Sequence, residues 1–433
     1  MLSPKILHTL SFLLILMAIC HANVCMEEDM YFGNWLMFSV QIAVITIIYM
    51  YRNVLCLKYL TEDYKYVNLY LRWTYILSVI GFVVADNYIE YRQLFVGIVS
   101  LLVPVLCWLF CRPTISLNLL SAWYKYAWLP FLFLFYFKLG FTQFYMQPIL
   151  VLVCLFPLFP KKTAMMILLL GVLLATKDIE EERAPFIKAT VAILTGIAIS
   201  IRNVLPTKII RIGRVFCFFC SVIVFVFVFG DAYDVFVGKA DVEEVVHSNK
   251  ERDVVEKDTR SLLYIDVVTS AIDNEYLIWG RTPARGFDIT YSGVLFWFDK
   301  TISYNKNERH KNEMVLSNIL TWEGLVGLLL FSLIYIRGSY LAVYRSNNKI
   351  IPILGCFIAW RWSWGWVEDA NNFLITDVDL WALIAICYSS YFRRMSDGEF
   401  IVWANGLLSK KHRQLFQRLK IEAVSYTHLR AHE

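Results

Sequence analysis

Long apolar runs separated by short polar connections are the feature that most constrains how this chain can fold. In chain order they cover 6–22, 35–51, 67–85, 93–111, 120–137, 143–160, 163–176, 185–201, 215–230, 314–336, 350–361 and 372–392. A helix needs roughly 20 apolar residues to cross a bilayer core of about 30 Å, so the runs predict an all-α, polytopic membrane protein with about 12 transmembrane helices. The weakness of 120–137, 163–176 and 350–361 leaves ten or eleven spans as alternatives. A composition of 58% apolar and 18% charged residues excludes a water-soluble enzyme.

Lysine and arginine are concentrated in alternate connections between these runs. The connection 202–214 carries four of them, whereas the connection 177–184 contains the acidic run 180–182. Because basic connections remain on the cytoplasmic side, this alternation predicts that both termini are cytoplasmic. It also favours an uncleaved first span over the alternative, a signal peptide that ends near Cys20, His21 and Ala22.

One long hydrophilic segment, 231–313, falls on the outer side in this topology. Asp258 or Thr259 is expected to cap a helix there, followed by a glycine-rich loop. The apolar face of this helix is expected to hold Leu262, Leu263, Val267 and Ala271, with Asp266 and Asp273 on other faces. We therefore divide the chain into a nine-helix membrane region (1–230), a large periplasmic loop (231–313), a three-helix membrane region (314–392), a basic cytoplasmic tail (393–423) and a final segment, 424–433, that resembles translated adapter sequence.

Several common chemistries have no sequence support. The chain has no phosphate-binding G-x-x-x-x-G-K-[ST] loop, no H-E-x-x-H and no G-x-S-x-G. Cys217 and Cys220 form a single C-x-x-C inside an apolar run, which is typical of packing rather than of a metal or redox site. We predict no metal, no cofactor and no nucleic-acid partner.

The outer segment also contains a group of residues suited to phosphate chemistry. They are Arg260, Arg281, Arg285, Arg309, His310 and Glu313. Converging guanidinium groups match the oxygens of a pyrophosphate, and a lipid-linked sugar donor carries a pyrophosphate at an outer membrane face. Either His310 or Glu313 is a candidate general base for an acceptor hydroxyl. The alternative is a solvated loop whose arginines pair with its own acidic residues.

The stretch from Arg260 through WGRTPARGF to ERHKNEMVLSNILTWEGLVGLLLF resembles the bacterial O-antigen ligase and O-antigen polymerase superfamily. In that resemblance Arg260 corresponds to an arginine at the start of a loop helix, and Arg183 to a further functional arginine. Gly280 and Gly286 resemble the family's glycine turn, and Gly324 and Gly327 its glycine pair before the next span. The family's histidine position falls on Glu313, so that either Glu313 replaces the histidine or an insertion has displaced His310.

The resemblance implies a glycosyltransferase type C-like, metal-independent inverting enzyme of the bacterial inner membrane. Its substrate would be an undecaprenyl-diphosphate-linked oligosaccharide, and a chain-length regulator or another polysaccharide-assembly protein would be a further partner. A polymerase would join repeat units, whereas a ligase would transfer the glycan to lipid A-core; the displaced histidine favours the polymerase. A transporter of lipid-linked sugars and a scaffold without chemistry are the competing hypotheses.

Two features near the ends of spans bear on those alternatives. A transporter would place ionisable residues inside spans and facing a cavity. The candidates Arg72, Lys188, Asp377 and Asp379 are instead expected to reach the membrane interface with their charged ends. The alternating tryptophans of 360–366 predict either an aromatic belt at the headgroup level or a stacking platform for sugar rings.

Overall fold

The computed structural model describes residues 4–24, 32–55, 63–130, 149–176, 183–220, 259–290, 308–368 and 375–419. Within these ranges the chain is almost entirely helical, which confirms the all-α prediction. The only strands among the described residues are β1 (Phe287–Asp288) and β2 (Glu308–Arg309), which are two residues long and pair with each other antiparallel. Most of the ninth predicted run, the first part of the long loop (231–258) and the final segment 424–433 lie outside the described residues.

The helices are numbered in chain order. They are α1 (Pro4–Val24), α2 (Phe32–Met50), α3 (Arg52–Leu55), α4 (Lys65–Val84), α5 (Tyr88–Leu101), α6 (Leu106–Leu109), α7 (Pro113–Trp123), α8 (Leu150–Cys154), α9 (Lys161–Thr176), α10 (Arg183–Ser200), α11 (Thr259–Asp273), α12 (Val315–Tyr344), α13 (Ile351–Trp364), α14 (Ile375–Tyr388), α15 (Ser390–Arg393) and α16 (Asp397–Leu408). A π-helical turn, Tyr124–Trp128, extends α7. Residues 207–220 and 410–419 are also helical.

Among the residues that the structure describes, three stretches are long and apolar enough to cross a membrane. They are Lys65–Val84, Tyr88–Leu109 and Val315–Tyr344, and the second of them includes the short 3-10 turn at Val103–Val105 between α5 and α6. Shorter apolar helices occur at His8–Met17, Trp35–Met50 and Phe186–Ser200. These helices give the chain membrane character, while the count of about 12 spans stays a prediction.

Connections that the charge pattern assigns to one side meet at one end of the bundle. Asp63 pairs with Arg337 at 3.3 Å and with Arg393 at 2.7 Å, although these arginines follow it by more than 250 positions in the chain. Arg202 pairs with Asp397 at 2.9 Å in the same way. Pairs of this kind tie the ends of sequence-distant helices together.

The outer-segment helix α11 begins at Thr259, as the capping pattern predicts. Leu263, Val267 and Ala271 are buried, and so the expected apolar face is confirmed. Asp266 was expected on another face, but it is fully buried and its carboxylate accepts the backbone N–H of Thr290 at 3.1 Å. The helix is thus fixed both to the bundle and to the loop that follows it.

Candidate functional site

The longest helix, α12, is interrupted at Gly324, where the backbone has φ 67° and ψ −169°. A break in a helix leaves N–H and C=O groups without their usual partners, which is costly in an apolar environment. Residues 277–282 of the preceding loop satisfy these groups. Their backbone hydrogen bonds join Arg281 N to Thr321 O (2.8 Å), Thr282 N to Trp322 O (3.1 Å), Leu325 N to Leu277 O (2.9 Å) and Val326 N to Ile278 O (3.3 Å).

Two glycines make this close approach of loop and helix possible. A Cβ atom on Gly280, which has φ 82°, would overlap the carbonyl oxygen of Trp322, and one on Gly324 would lie 2.5 Å from the nitrogen of Gly280. Only glycine adopts such positive φ values without strain. The WEG and WGR motifs therefore meet as one interlocking pair of turns.

Gly327 and Gly286 are also tightly packed. A Cβ atom on Gly327 would overlap the side chain of Glu323, because the break swings Glu323 towards the following turn. A Cβ atom on Gly286 would overlap the carbonyl group of Arg309 in the neighbouring strand. At each of the four glycine positions predicted from the sequence, a larger residue would thus overlap a neighbouring group.

Glu323 is completely buried at the break and was not among the predicted site residues. Its Oε1 accepts the hydroxyl of Thr74 at 2.5 Å, and its backbone carbonyl accepts the indole N–H of Trp73 at 3.2 Å. Both partners belong to α4, so that Glu323 joins α4 to α12. A carboxylate inside an otherwise apolar run was the signal that could have identified it.

Arg281 and Arg285 are brought together around Glu308. Arg285 donates through Nε to Glu308 at 2.9 Å and through Nη2 to its other oxygen, which is a two-pronged pair. Arg281 contacts Glu308 at 3.2 Å and Asp288 at 3.0 Å, and Glu90 approaches Arg285 at 3.7 Å. We call these five residues the loop ion cluster. Its carboxylates outnumber its arginines, but Glu308 and Glu90 are buried rather than solvated, and Glu90 belongs to α5 rather than to the loop.

The remaining predicted arginines are distributed around this cluster. Arg309 lies next to Glu308 in β2, pairs with Phe287 across the strands, and donates from Nε to the carbonyl of Lys311 at 3.0 Å. Arg260 lies in the first turn of α11, and Arg183 begins α10. The side chains of Arg260 and Arg183 lie outside the described part of the chain, so their convergence with Arg281 and Arg285 stays a prediction.

His310 is packed between the loop and α12. Its Nε2 lies 2.8 Å from the carbonyl oxygen of Pro283, and its ring stands 5.0 Å from that of Trp322. Because a carbonyl only accepts hydrogen bonds, Nε2 carries the proton and Nδ1 is left as the basic nitrogen. Burial lowers the pKa of His310 to about 4, with the charges of Lys311 and Arg92 acting in the same direction. His310 is therefore neutral at physiological pH.

Glu313 stands exposed two residues before α12. Next to it, buried Asn312 fixes the start of the helix, since its Oδ1 accepts the N–H of Met314 at 2.9 Å and the hydroxyl of Ser317 at 2.7 Å. Asn318 closes the turn by donating to the Asn312 carbonyl at 2.9 Å. Of the two candidate bases, Glu313 is the one whose side chain is open to an approaching substrate.

A second group of charges lies inside the helical bundle. Lys188, Asp377 and Asp379 are only 1–3% exposed, so the expectation that their charged ends reach the membrane interface was wrong; neighbouring helices cover the span ends that were expected to face lipid. Arg72, by contrast, is exposed. We use the name buried ion cluster for the buried residues Lys188, Arg361, Asp377 and Asp379 together with Glu368, whose side chain is 26% exposed.

The two ends of the buried ion cluster differ in how they are paired. Lys188 Nζ lies 2.5 Å from Glu368 Oε1, and the indole of Trp364 donates to Glu368 Oε2 at 2.7 Å. Burial alone would raise the pKa of Glu368, but Lys188, Arg361 and these hydrogen bonds lower it below the ordinary value. At the other end, neither Asp379 Oδ2 nor Arg361 Nη1 has a hydrogen-bond partner among the described residues.

The tryptophans of 360–366 pack into the protein. Trp360 is buried and stacks on Trp364 with ring centres 5.5 Å apart, while the indole of Trp362 donates to Ser332 of α12 at 3.1 Å. The carbonyl of Trp366 accepts the hydroxyl of Tyr264 from α11. Trp360 is therefore not available to an aromatic belt or to an open sugar platform, and contacts of the half-buried Trp362 and Trp366 join the end of α13 to α12 and α11.

No protein-family model, curated protein or solved structure matches this chain. Within the described residues there is also no group of three or more His, Cys, Asp or Glu side chains arranged to hold a metal ion.

Proposed function

We propose that this protein polymerises undecaprenyl-diphosphate-linked oligosaccharide repeat units into surface polysaccharide at the periplasmic face of the bacterial inner membrane. The observation that carries the proposal is the docking of residues 277–282 into the break of α12. This docking holds Arg281, Arg285 and His310 beside the N-terminal part of α12, which is long and apolar enough to span a membrane. A lipid-linked diphosphate would meet the protein at such a boundary.

The proposed reaction is a single displacement at the anomeric carbon. The acceptor hydroxyl forms the new C–O bond as the bond to the diphosphate oxygen breaks, and its proton passes to a base. We assign the base to exposed Glu313, and to His310 a positioning role through its contacts with Pro283 and Trp322. Negative charge that develops on the leaving diphosphate would be stabilised by guanidinium groups.

The loop ion cluster limits how its arginines can act. Glu308 already occupies Nε and Nη2 of Arg285. A phosphate must therefore either displace this carboxylate or bind from the Nη1 side. We propose that Arg281 and Arg285 order the loop in the resting protein, and that substrate competes with Glu308 for them. Arg309, Arg260 and Arg183 complete the proposed diphosphate site.

The test is complementation of a deletion strain with R260A, R285A and E313A, followed by gel analysis of surface polysaccharide. We expect each variant to accumulate at the normal level and to lose long chains. D273A, which removes an exposed carboxylate at the end of α11, and R394A, which removes an exposed arginine elsewhere, are the matched controls. Normal chain lengths in all three variants would overturn the proposal.

The same gel separates the polymerase from the ligase alternative. Loss of a polymerase leaves capped single repeat units, whereas loss of a ligase leaves full-length polymer on its lipid carrier. The buried ion cluster favours one further candidate, a transporter of lipid-linked sugars, because buried ionisable residues are typical of transport pathways. Unpolymerised units retained on the cytoplasmic side in the deletion strain would support that transporter.

A further inference from the structure

A cavity of about 620 Å³ lies between α1, α3 and α7, away from the loop. Its lining includes the basic side chains of Lys5, His8 and Arg112 and the apolar side chains of Val54, Leu55 and Ile115. Ser389 ties this region to α15, since its hydroxyl donates to the Cys111 carbonyl at 2.5 Å. The cavity thus belongs to the end of the bundle that holds the Asp63–Arg393 pair, which the charge pattern predicts to be cytoplasmic.

The described lining of this cavity is positively charged. Lys5 and Arg112 contribute basic side chains, and no carboxylate occurs among the described residues that line the cavity. Two helices also begin here, α1 at Pro4 and α7 at Pro113, and neither has an acidic residue in its first turn. Helix N-termini carry partial positive charge and unpaired N–H groups, so they add to the field of the side chains.

Arg112 provides an independent sign of a missing ligand. Its Nε is buried, yet it has no hydrogen-bond partner in the part of the chain that the structure describes. The rest of the Arg112 side chain is half-buried. A buried N–H without a partner is costly, and an anionic oxygen in the cavity would remove that cost. Arg112 is also the residue that immediately precedes α7, so the same oxygen would lie near the N–H groups of that helix.

We propose that this cavity binds the phosphate of an anionic phospholipid head group. The basic residues and the two helix N-termini recognise the phosphate, while Val54, Leu55 and Ile115 offer an apolar wall to the adjoining glycerol and acyl carbons. A free phosphate ion would use only the polar half of this lining. The site is independent of the proposed transferase activity, because it shares no residue with the loop or with α12.

Native mass spectrometry of the purified full-length protein tests the proposal with three probes: phosphatidylglycerol, phosphatidylcholine and inorganic phosphate. We expect retention of phosphatidylglycerol in preference to phosphatidylcholine. Removing one cation by R112A or K5A should weaken retention about fivefold, since a basic residue contributes about 1 kcal/mol to binding of an anionic lipid surface.

The control variants also remove one positive charge each, but at positions outside the cavity. K161A removes a lysine from the first turn of α9, where it is exposed, and R394A removes an exposed arginine. Both should retain phosphatidylglycerol like the parent protein, and R112K should retain more of it than R112A. Binding of inorganic phosphate alone, lost in R112A, would overturn the lipid assignment in favour of a free anion. Equal loss in K161A and R112A, or no preference between the lipids, would overturn the site itself.

Discussion

The loop ion cluster and the buried ion cluster each contain five charged residues, but they differ in how completely their polar atoms are paired. In the loop, Arg285 faces Glu308 with two of its nitrogens, and Arg281 is shared between Glu308 and Asp288. In the bundle, Lys188 and Glu368 are closely paired, whereas atoms of Asp379 and Arg361 have no hydrogen-bond partner among the described residues. The fully paired cluster is the one whose arginines the sequence suggested as ligands.

Clustered arginines in a sequence thus identify a charged region, but they do not show that the guanidinium N–H groups are available to a ligand. In the loop ion cluster Glu308 and Glu90 are buried, so its arginines offset the cost of burying these carboxylates. A buried charge with an unpaired atom is costly, so its persistence calls for an explanation in function or in another conformation of the protein. Removal of a single partner is therefore expected to destabilise both clusters, and by more in the buried ion cluster.

The largest expected effect is that of K188M. It leaves the Glu368 carboxylate in the bundle without its cation, and removal of one partner from a buried ion pair costs about 3–5 kcal/mol. The thermal midpoint of the purified protein in detergent is the measurement. The double variant K188M/E368M should recover most of the loss, because it also removes the stranded charge. A midpoint unchanged in K188M would show that the pair is not coupled to folding.

A smaller effect concerns pH. The pKa of His310 falls from 6.5 to about 4 on folding, so the unfolded chain binds an additional proton between these values. The contribution of His310 to the free energy of unfolding should be fully present above pH 6.5. It should decline as pH falls towards 4, by an amount on the order of 1–3 kcal/mol. We expect H310Q to flatten this part of the midpoint-against-pH curve relative to the parent. Parallel curves for the two proteins would contradict the assigned burial.

R285A should destabilise the loop by about 1–3 kcal/mol, because it leaves buried Glu308 and Glu90 with fewer partners. Limited proteolysis of residues 274–290 reports the loosening. R285K keeps the charge but loses the two-pronged geometry, so it should fall between R285A and the parent. If R285A disturbs polysaccharide length while the loop stays resistant to proteolysis, a direct role in substrate binding is supported over a positioning role.

The smallest effect is expected for E308Q, which removes a carboxylate that competes for Arg281 and Arg285. Pyrophosphate should bind more tightly by about 1 kcal/mol, or roughly fivefold. Isothermal titration of the purified protein measures this change, with D273N as the control for loss of an exposed acidic residue. Weaker binding in E308Q would mean that Glu308 holds the arginines in a ligand-ready arrangement.

The secondary structure was largely predictable, because it depends on local periodicity. Apolar spacing located α11 and its buried face of Leu263, Val267 and Ala271. The break in α12 was not predictable in the same way. An apolar run with glycines at positions 324 and 327 is compatible with a continuous helix, and the break becomes favourable only when residues 277–282 supply hydrogen bonds from another part of the chain.

The candidate site was predictable in its residues but not in its pairings. Gly280 and Gly324 pack against each other and Arg281 and Arg285 meet at Glu308, yet the contact of Arg285 with Glu90 joins residues almost 200 positions apart. No local pattern contains such information. The prediction that the charged end of Lys188 reaches the membrane interface failed for the same reason. Only the packing of α10 against α13 shows that helices rather than lipid surround this residue.

The break at Gly324 also bears on the order in which the chain is made. Residues 277–282 leave the ribosome before residues 321–326, so the loop that completes the hydrogen bonding of α12 already exists when the helix is synthesised. The segment after Gly324 has about 20 residues and a length of roughly 30 Å, enough to cross a bilayer by itself. Insertion of that segment into the membrane and docking of the loop against α12 can thus be separate events during biogenesis. In a chain stalled between the two events, the segment would be inserted while the loop is not yet docked.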